Sequence, residues 1–320
     1  MQMFTPEEVK LLMSIQYELP LSETPYVDLT EKTGLSLDFV LKKTEEFMRQ
    51  GVIKRVGANL NYKAFKSTSK AALVGAAVEE SRIEEVAKII NATKPKHNFL
   101  RLHEKYSIWF TIKAKDDETL LRNIEKLMKK CGVTEYVVLP TKRVYKMDVK
   151  YDLIRGVSWT EKGIEPEKVP TVEELGINAE MLRKLETLAV EERPFREFTK
   201  YGYSEAEVVD LIDELIKKGV VRDFSGVLKE RKIGFNENGM TVIKTDDPES
   251  LAMKLLKDVP QITHLVERIV PEEWEYPIYF MVHAVDKKPI EEIRKRLLEY
   301  PEVEDAKTLY SKMDLKTLGI

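Results

Sequence analysis

The chain has a single cysteine, Cys131, only four histidines and only three tryptophans in 320 residues. One thiol excludes an intrachain disulfide and any cysteine cluster for zinc or an iron–sulfur centre. It fits a buried or inert thiol in a reducing cytosol. No stretch approaches the roughly 20 apolar residues of a membrane-spanning helix. The opening Met1-Gln2-Met3-Phe4-Thr5-Pro6-Glu7-Glu8 also lacks the basic-then-apolar order of a signal peptide. A cytoplasmic protein with no membrane partner is therefore expected. Charged residues make up 33% of the chain, but their signs nearly cancel to a net −3, so nothing draws the whole molecule to nucleic acid. A hydrophobic content of 43% supports packed cores, and the length asks for more than one domain.

The histidines are concentrated. His97 and His103 lie in the window His97-Asn98-Phe99-Leu100-Arg101-Leu102-His103, which runs into Tyr106-Ser107-Ile108-Trp109-Phe110. His264 and His283 bracket a second window, His264-Leu265-Val266-Glu267-Arg268 followed by Trp274-Glu275-Tyr276-Pro277-Ile278-Tyr279-Phe280. Both open His-x-x-x-Arg and both continue into an aromatic-rich apolar run. Histidine exchanges protons near neutrality and arginine is a permanent carboxylate partner. Their recurrence at equivalent points suggests paired sites for an anionic ligand.

The windows belong to an internal duplication with an offset of about 170 residues. Gly51-Val52-Ile53 matches Gly219-Val220-Val221, Phe65 matches Phe235, and Leu139-Pro140-Thr141-Lys142 matches Leu309-Tyr310-Ser311-Lys312. Each copy starts with helical signals. Thr5-Pro6-Glu7-Glu8 places a capping threonine before a first-turn proline and early acids, and an apolar stripe at Val9, Leu12, Met13 and Ile15 follows. Helices near Tyr26–Lys32 and Ser36–Arg49 and a β-like Val52–Leu60 complete a winged helix-turn-helix pattern. Ala179–Ala189, Phe195–Lys200 and Ser204–Lys218 repeat the helices. The rest of each copy alternates strand and helix in the βαββαβ order of a split ferredoxin-like unit.

The fold class expected is α+β: a tandem duplication of a winged helix-turn-helix domain and a ferredoxin-like βαββαβ (RAM-like) domain. The expected limits are 1–62 and 63–151 for the first copy, a linker at 152–174, then 175–230 and 231–320 for the second.

This architecture alone suggests a feast/famine (Lrp/AsnC-type) transcription regulator binding DNA and a small effector. Helix charge argues against DNA. Ser36–Arg49 balances Lys42, Lys43 and Arg49 against Asp38, Glu45 and Glu46. Ser204–Lys218 carries Glu205, Glu207, Asp210, Asp213 and Glu214 against only Lys217 and Lys218, and phosphate would repel it.

Lys96-His97-Asn98-Phe99-Leu100-Arg101, the strand from Tyr106 to Ile112, and the closing Leu139–Lys146 run resemble one subunit of the sirohaem decarboxylases. Gly234-Phe235-Asn236-Glu237-Asn238-Gly239-Met240, His264-x-x-x-Arg268, Trp274–His283 and Leu309-Tyr310-Ser311-Lys312 resemble its partner subunit. The resemblance covers nearly the whole chain apart from the linker. It implies a fused two-subunit carboxy-lyase that keeps the regulator fold. Such an enzyme removes CO2 from two acetate side chains of sirohaem and yields didecarboxysirohaem, a step of haem d1 synthesis and of the alternative haem pathway. It implies no added cofactor, the iron-containing tetrapyrrole being the substrate, and pairing of the two halves within one chain, with a homodimer left open. A non-catalytic tetrapyrrole-binding protein is the remaining alternative.

A flat macrocycle rimmed with carboxylates asks for aromatic walls and a cationic rim. Phe99, Tyr106, Trp109, Trp274, Tyr276 and Tyr279 are candidates for the walls, with His103 and His283 as further contacts. Lys105, Arg55 and Arg222 are candidates for the rim. His97 or His264 is expected to deliver protons, as histidines of near-neutral pKa, and Arg101 or Arg268 to anchor the reacting carboxylate. An axial contact from His97 or His264 to the substrate iron is equally compatible, and no resident metal site is expected.

Overall fold

The computed structural model describes residues 3–319. Helices α1 (Pro6–Tyr17), α2 (Pro25–Thr33) and α3 (Leu37–Gln50) lead into strand β1 (Ile53–Leu60). Then come β2 (Lys70–Ala76), α4 (Ile83–Asn91), β3 (Asn98–Arg101), β4 (Ile108–Ala114), α5 (Asp117–Cys131) and β5 (Tyr136–Met147). Two short strands, β6 (Tyr151–Asp152) and β7 (Val157–Ser158), pair with each other. The second copy supplies α6 (Ala179–Lys184), a 3-10 helix at Arg196–Tyr201, α7 (Glu205–Lys217) and β8 (Val221–Leu228). It ends with β9 (Glu237–Lys244), α8 (Pro248–Asp258), β10 (His264–Arg268), β11 (Ile278–Ala284), α9 (Lys288–Leu297) and β12 (Asp305–Asp314).

These elements form two compact units, each drawing on both copies. One holds the chain up to Phe65, Asp148–Thr160 and Lys168–Asn236. The other holds Lys66–Met147, Glu161–Glu167 and the chain from Glu237. The stretch from 152 to 174, expected to be a plain linker, is thus shared between the units and carries β7.

In the helical unit the caps are those the sequence asks for. Thr5 and Glu8 form a reciprocal capping box on α1, as do Ser204 and Glu207 on α7. Ser36 caps α3, which closes on Gly51 in the left-handed region. Two expectations change. The second helix of the second copy is only a 3-10 helix, Arg196–Tyr201, which stops at a left-handed Gly202. Nor is the strand after each third helix a wing of its own copy: β1 and β8 pair antiparallel with each other, Val56 opposite Gly226. Gly57 permits that arrangement. At φ 153° its Cα faces the Leu185 carbonyl, and a Cβ would stand 2.2 Å from that oxygen.

In the other unit all pairing is antiparallel. Among the described residues the strand order is β10-β5-β2-β4-β3-β12-β9-β11, and β10 also pairs with β11, so the sheet closes into a barrel. Within each copy the spatial order is fourth, first, third, second strand. The joints between copies are β10–β5 and β3–β12. Side chains alternate across this wall. Ala72, Val74, Ala76, Ile108 and Phe110 face outward onto Val86 and Ile90 of α4 and Leu120, Ile124 and Met128 of α5. Each large aliphatic buried there contributes roughly 1.5–3 kcal/mol. Leu73, Trp109, Val137, Leu139, Met240, Val242, Tyr279 and Leu309 face inward and form a separate core. An eight-stranded barrel has an interior that side chains fill or that holds one small ligand.

Candidate active site

The strand period carries the histidines to the inner face. On β10, His264, Val266 and Arg268 alternate with Leu265 and Glu267, and Glu267 turns to Lys142 (2.6 Å) and the Tyr145 hydroxyl (3.1 Å). His264 lies opposite Met281 on β11, and His283 is two residues further along the same face. His97 immediately precedes β3, its backbone carbonyl accepting from Thr111 N at 3.1 Å. The equivalent histidines do not form two sites. The rings of His97 and His264 meet edge-on with centroids 6.4 Å apart, and His264 and His283 are likewise 6.4 Å apart. Closure of the barrel brings the two copies' equivalent positions to one place.

Phe99 stacks on His97 at 6.0 Å, and Arg101 lies over Phe99 at 5.0 Å. Arg101 is only 5% exposed. It donates to the Leu309 carbonyl at 2.9 Å and to Asn238 Oδ1 at 3.1 Å. Asn238 in turn lies 3.4 Å from His283 Nδ1. Arg268, the counterpart of Arg101, donates to Thr141 Oγ1 at 2.8 Å and to the Leu139 carbonyl at 3.4 Å, and lies over the Tyr279 ring at 5.6 Å. Leu139 and Leu309 are equivalent in the duplication. Each arginine therefore reaches the same carbonyl of the opposite copy.

Burial, together with the positive charges of Lys96, Arg101, Lys316 and Lys113, holds the His97 pKa well below its ordinary 6.5. This direction runs against the near-neutral acid expected at His97. Its surroundings are strongly cationic, which suits a polyanion. Lys316 donates to the Lys96 carbonyl at 3.1 Å, tying the C-terminal turn to this edge of the barrel.

The remaining candidates fall elsewhere. His103, Tyr106, Trp109 and Trp274 form a cluster with every pair of ring centroids 5.5–6.0 Å apart, and Tyr276 packs on Trp274 at 5.5 Å. Tyr106, Trp109, Trp274, Tyr276 and Tyr279 are all buried. His103 Nδ1 accepts the backbone N–H groups of Lys105 and Tyr106, each at 3.0 Å, and so caps the β3–β4 turn. Burial lowers its pKa too. Lys105 is half exposed and pairs with Glu135 at 3.4 Å. Arg55 and Arg222 belong to the helical unit. Arg55 donates to the carbonyls of Glu186 (3.2 Å) and Ala58 (3.3 Å), and Arg222 to Leu60 O (3.1 Å) and Asn61 Oδ1 (2.9 Å).

Sequence reasoning missed Asn238, Thr263, Lys113 and Lys316. Asn238 could have been found from register, since it lies directly opposite His283 in the β9–β11 ladder.

The AsnC-like ligand binding domain model matches this chain twice, over residues 68–146 and 232–316, once for each half of the barrel. The siroheme decarboxylase NirDL-like HTH domain model matches residues 8–54. The siroheme decarboxylase alpha subunit of Nitratidesulfovibrio vulgaris is 32% identical over 44% of this chain and 79% of its own length. The chain belongs to the siroheme decarboxylase family. Another member, from Hydrogenobacter thermophilus, is 26% identical over 97% of this chain and 93% of that protein. Family members named as separate alpha and beta subunits each match less than half of this chain. A crystal structure of the siroheme decarboxylase NirDL in complex with an iron-uroporphyrin III analogue superposes with a TM-score of 0.64 over 96% of this chain and 91% of that one, at 22% identity, so the two share a fold.

Proposed function

We propose that this protein removes CO2 from two acetate side chains of sirohaem, leaving methyl groups. The observation that carries this reading is the meeting of His97, His264 and His283 on one inner face, with lysines and Arg101 gathered around His97. Family membership names the macrocycle, and the cationic surroundings supply a partner for its carboxylate rim. No organic cofactor is required. Each half is read as a helix-turn-helix segment with a ferredoxin-like unit, within 1–62 and 63–151 and within 175–230 and 231–320. Strand order and the repeated family match support this reading, and the protein works in the cytoplasm.

For each acetate the balance is simple. A proton adds to the conjugated ring, the bond between the methylene and carboxylate carbons breaks, and CO2 leaves. The electron pair enters the ring. Protonation of the resulting exocyclic methylene gives the methyl group as the ring releases its proton, so one proton is consumed per CO2. The tetrapyrrole is the electron sink, and the protein supplies position, charge and protons. His97 and His264 carry those protons. Lys96, Lys113 and Lys316 receive rim carboxylates, which offset the positive field on His97 and raise its pKa when substrate is bound. Phe99 offers a ring face beside His97. Arg101 and Arg268 act through charge and through the bonds that join the copies.

Anaerobic incubation with sirohaem and mass analysis of the extracted tetrapyrrole tests this. Loss of two CO2 is expected, and recovery of the intact macrocycle after prolonged incubation overturns it.

A further inference from the structure

The polar network around the histidines distinguishes their ring nitrogens. Arg101 has only donors, so the Asn238 side-chain atom 3.1 Å from it is the amide oxygen. The Asn238 amide nitrogen is then the atom 3.4 Å from His283 Nδ1, and it can only donate. His283 must accept at Nδ1, so its proton resides on Nε2. Protonating Nδ1 as well would set two donors against each other in a site where Asn238 is 6% exposed and His283 5%.

His264 is treated in the opposite way. Thr263 Oγ1 donates its one hydroxyl proton to the Met281 carbonyl at 3.2 Å. The same oxygen is 2.9 Å from His264 Nδ1 and can meet that nitrogen only as acceptor. His264 therefore carries its proton on Nδ1. A second proton added at Nε2 leaves the Thr263 bond intact, so this ring can alternate between neutral and cationic forms.

We propose that Asn238 and Thr263 are positioning residues that give neighbouring imidazoles opposite roles. His264 is the ring that takes up and releases a proton at Nε2, and His283 is the ring that presents an Nε2–H to a carboxylate oxygen. The tautomers follow from the hydrogen bonds alone, whereas their use in turnover rests on the decarboxylase reading above. In that setting the carboxylate meets a fixed N–H donor, while the adjacent ring handles the proton.

Nitrogen-15 NMR of the full chain labelled at histidine tests this, since four histidines make a tractable spectrum. In the free protein at mildly alkaline pH, His283 is expected to show a protonated Nε2 and an unprotonated Nδ1, and His264 the reverse. Asn238→Asp keeps an acceptor for Arg101 but replaces the donor facing His283, so a proton should appear on His283 Nδ1. Thr263→Val should remove the Nδ1–H preference of His264 and leave His283 unchanged. Asn238→Gln, which retains both amide functions, should restore the wild-type His283 pattern at least in part. A wild-type His283 protonated on Nδ1, or an Asn238→Asp spectrum identical to wild type, overturns the proposal. These readouts need no substrate. Correct tautomers without CO2 release would therefore defeat the decarboxylase reading and leave the positioning assignment standing.

Discussion

His97 and His264 occupy equivalent positions in the two copies of the duplication, and their imidazoles meet edge-on at 6.4 Å. Such proximity gives the two copies one shared constellation. An alteration of either ring therefore reaches the equivalent ring of the other copy.

Replacement of either histidine should therefore suppress both decarboxylations together. His97→Ala and His264→Ala are each expected to slow turnover by about 10²–10⁴-fold, the usual contribution of a positioned proton donor or acceptor. Time-resolved mass analysis of the tetrapyrrole provides the check. A variant that forms the singly decarboxylated product at the normal rate and then stops would show instead that the copies divide the work.

The lowered pKa of His97 has a definite sign in stability. Between its folded value and the ordinary 6.5, the unfolded chain binds more protons than the folded one, so stability falls as the pH drops below 6.5. His97→Gln should flatten that part of a denaturant-midpoint profile. In contrast, a carboxylate-rich ligand should draw a proton onto His97, so its binding at neutral pH should take up protons. Calorimetry in buffers of different ionisation enthalpy measures that uptake, and a buffer-independent heat would contradict it.

The two arginines differ in burial and should differ in cost. Arg101→Met strips donors from the Leu309 carbonyl and from Asn238 in a buried setting, and is expected to destabilise by about 3 kcal/mol. Arg268→Met leaves a more accessible environment and should cost about 1 kcal/mol. Urea titration of both variants tests the order, and equal or reversed losses would rule out the burial argument.

Trp109 lies flat over Gly75, where an added Cβ would come within 2.8 Å of the indole. Gly75→Val should push the ring into the aromatic cluster, destabilise by about 1–3 kcal/mol and shift the tryptophan fluorescence. Trp109→Ala, which empties the same place, should cost about 3–5 kcal/mol. A Gly75→Val variant with unchanged emission and midpoint would show that the indole has room to move.

The lysines of the helices that would have to touch DNA are engaged. Lys42 pairs with Asp38, Lys43 with Glu8 and Glu46, Lys217 with Asp213, and Lys218 with Glu214. No salt-sensitive duplex binding is expected at physiological ionic strength. An electrophoretic shift that weakens steeply with added salt would restore the regulator alternative.

Much was legible in the sequence because it is local. Capping residues at Thr5, Ser36 and Ser204, the alternation along β4 and β11, and the repeated His-x-x-x-Arg need only neighbours a few residues away to express their preferences. Those signals determined the element order, the duplication and the family. What only the tertiary structure decided depends on contacts between distant segments. Closure of β10 onto β5 and of β3 onto β12 turns two expected sites into one and exchanges Arg101 and Arg268 between the copies, and in the helical unit β1 pairs with β8. Asn238 looks like an ordinary polar residue in the sequence. It becomes informative only when the strand register sets it between a buried guanidinium and an imidazole, where each hydrogen bond dictates the direction of the next.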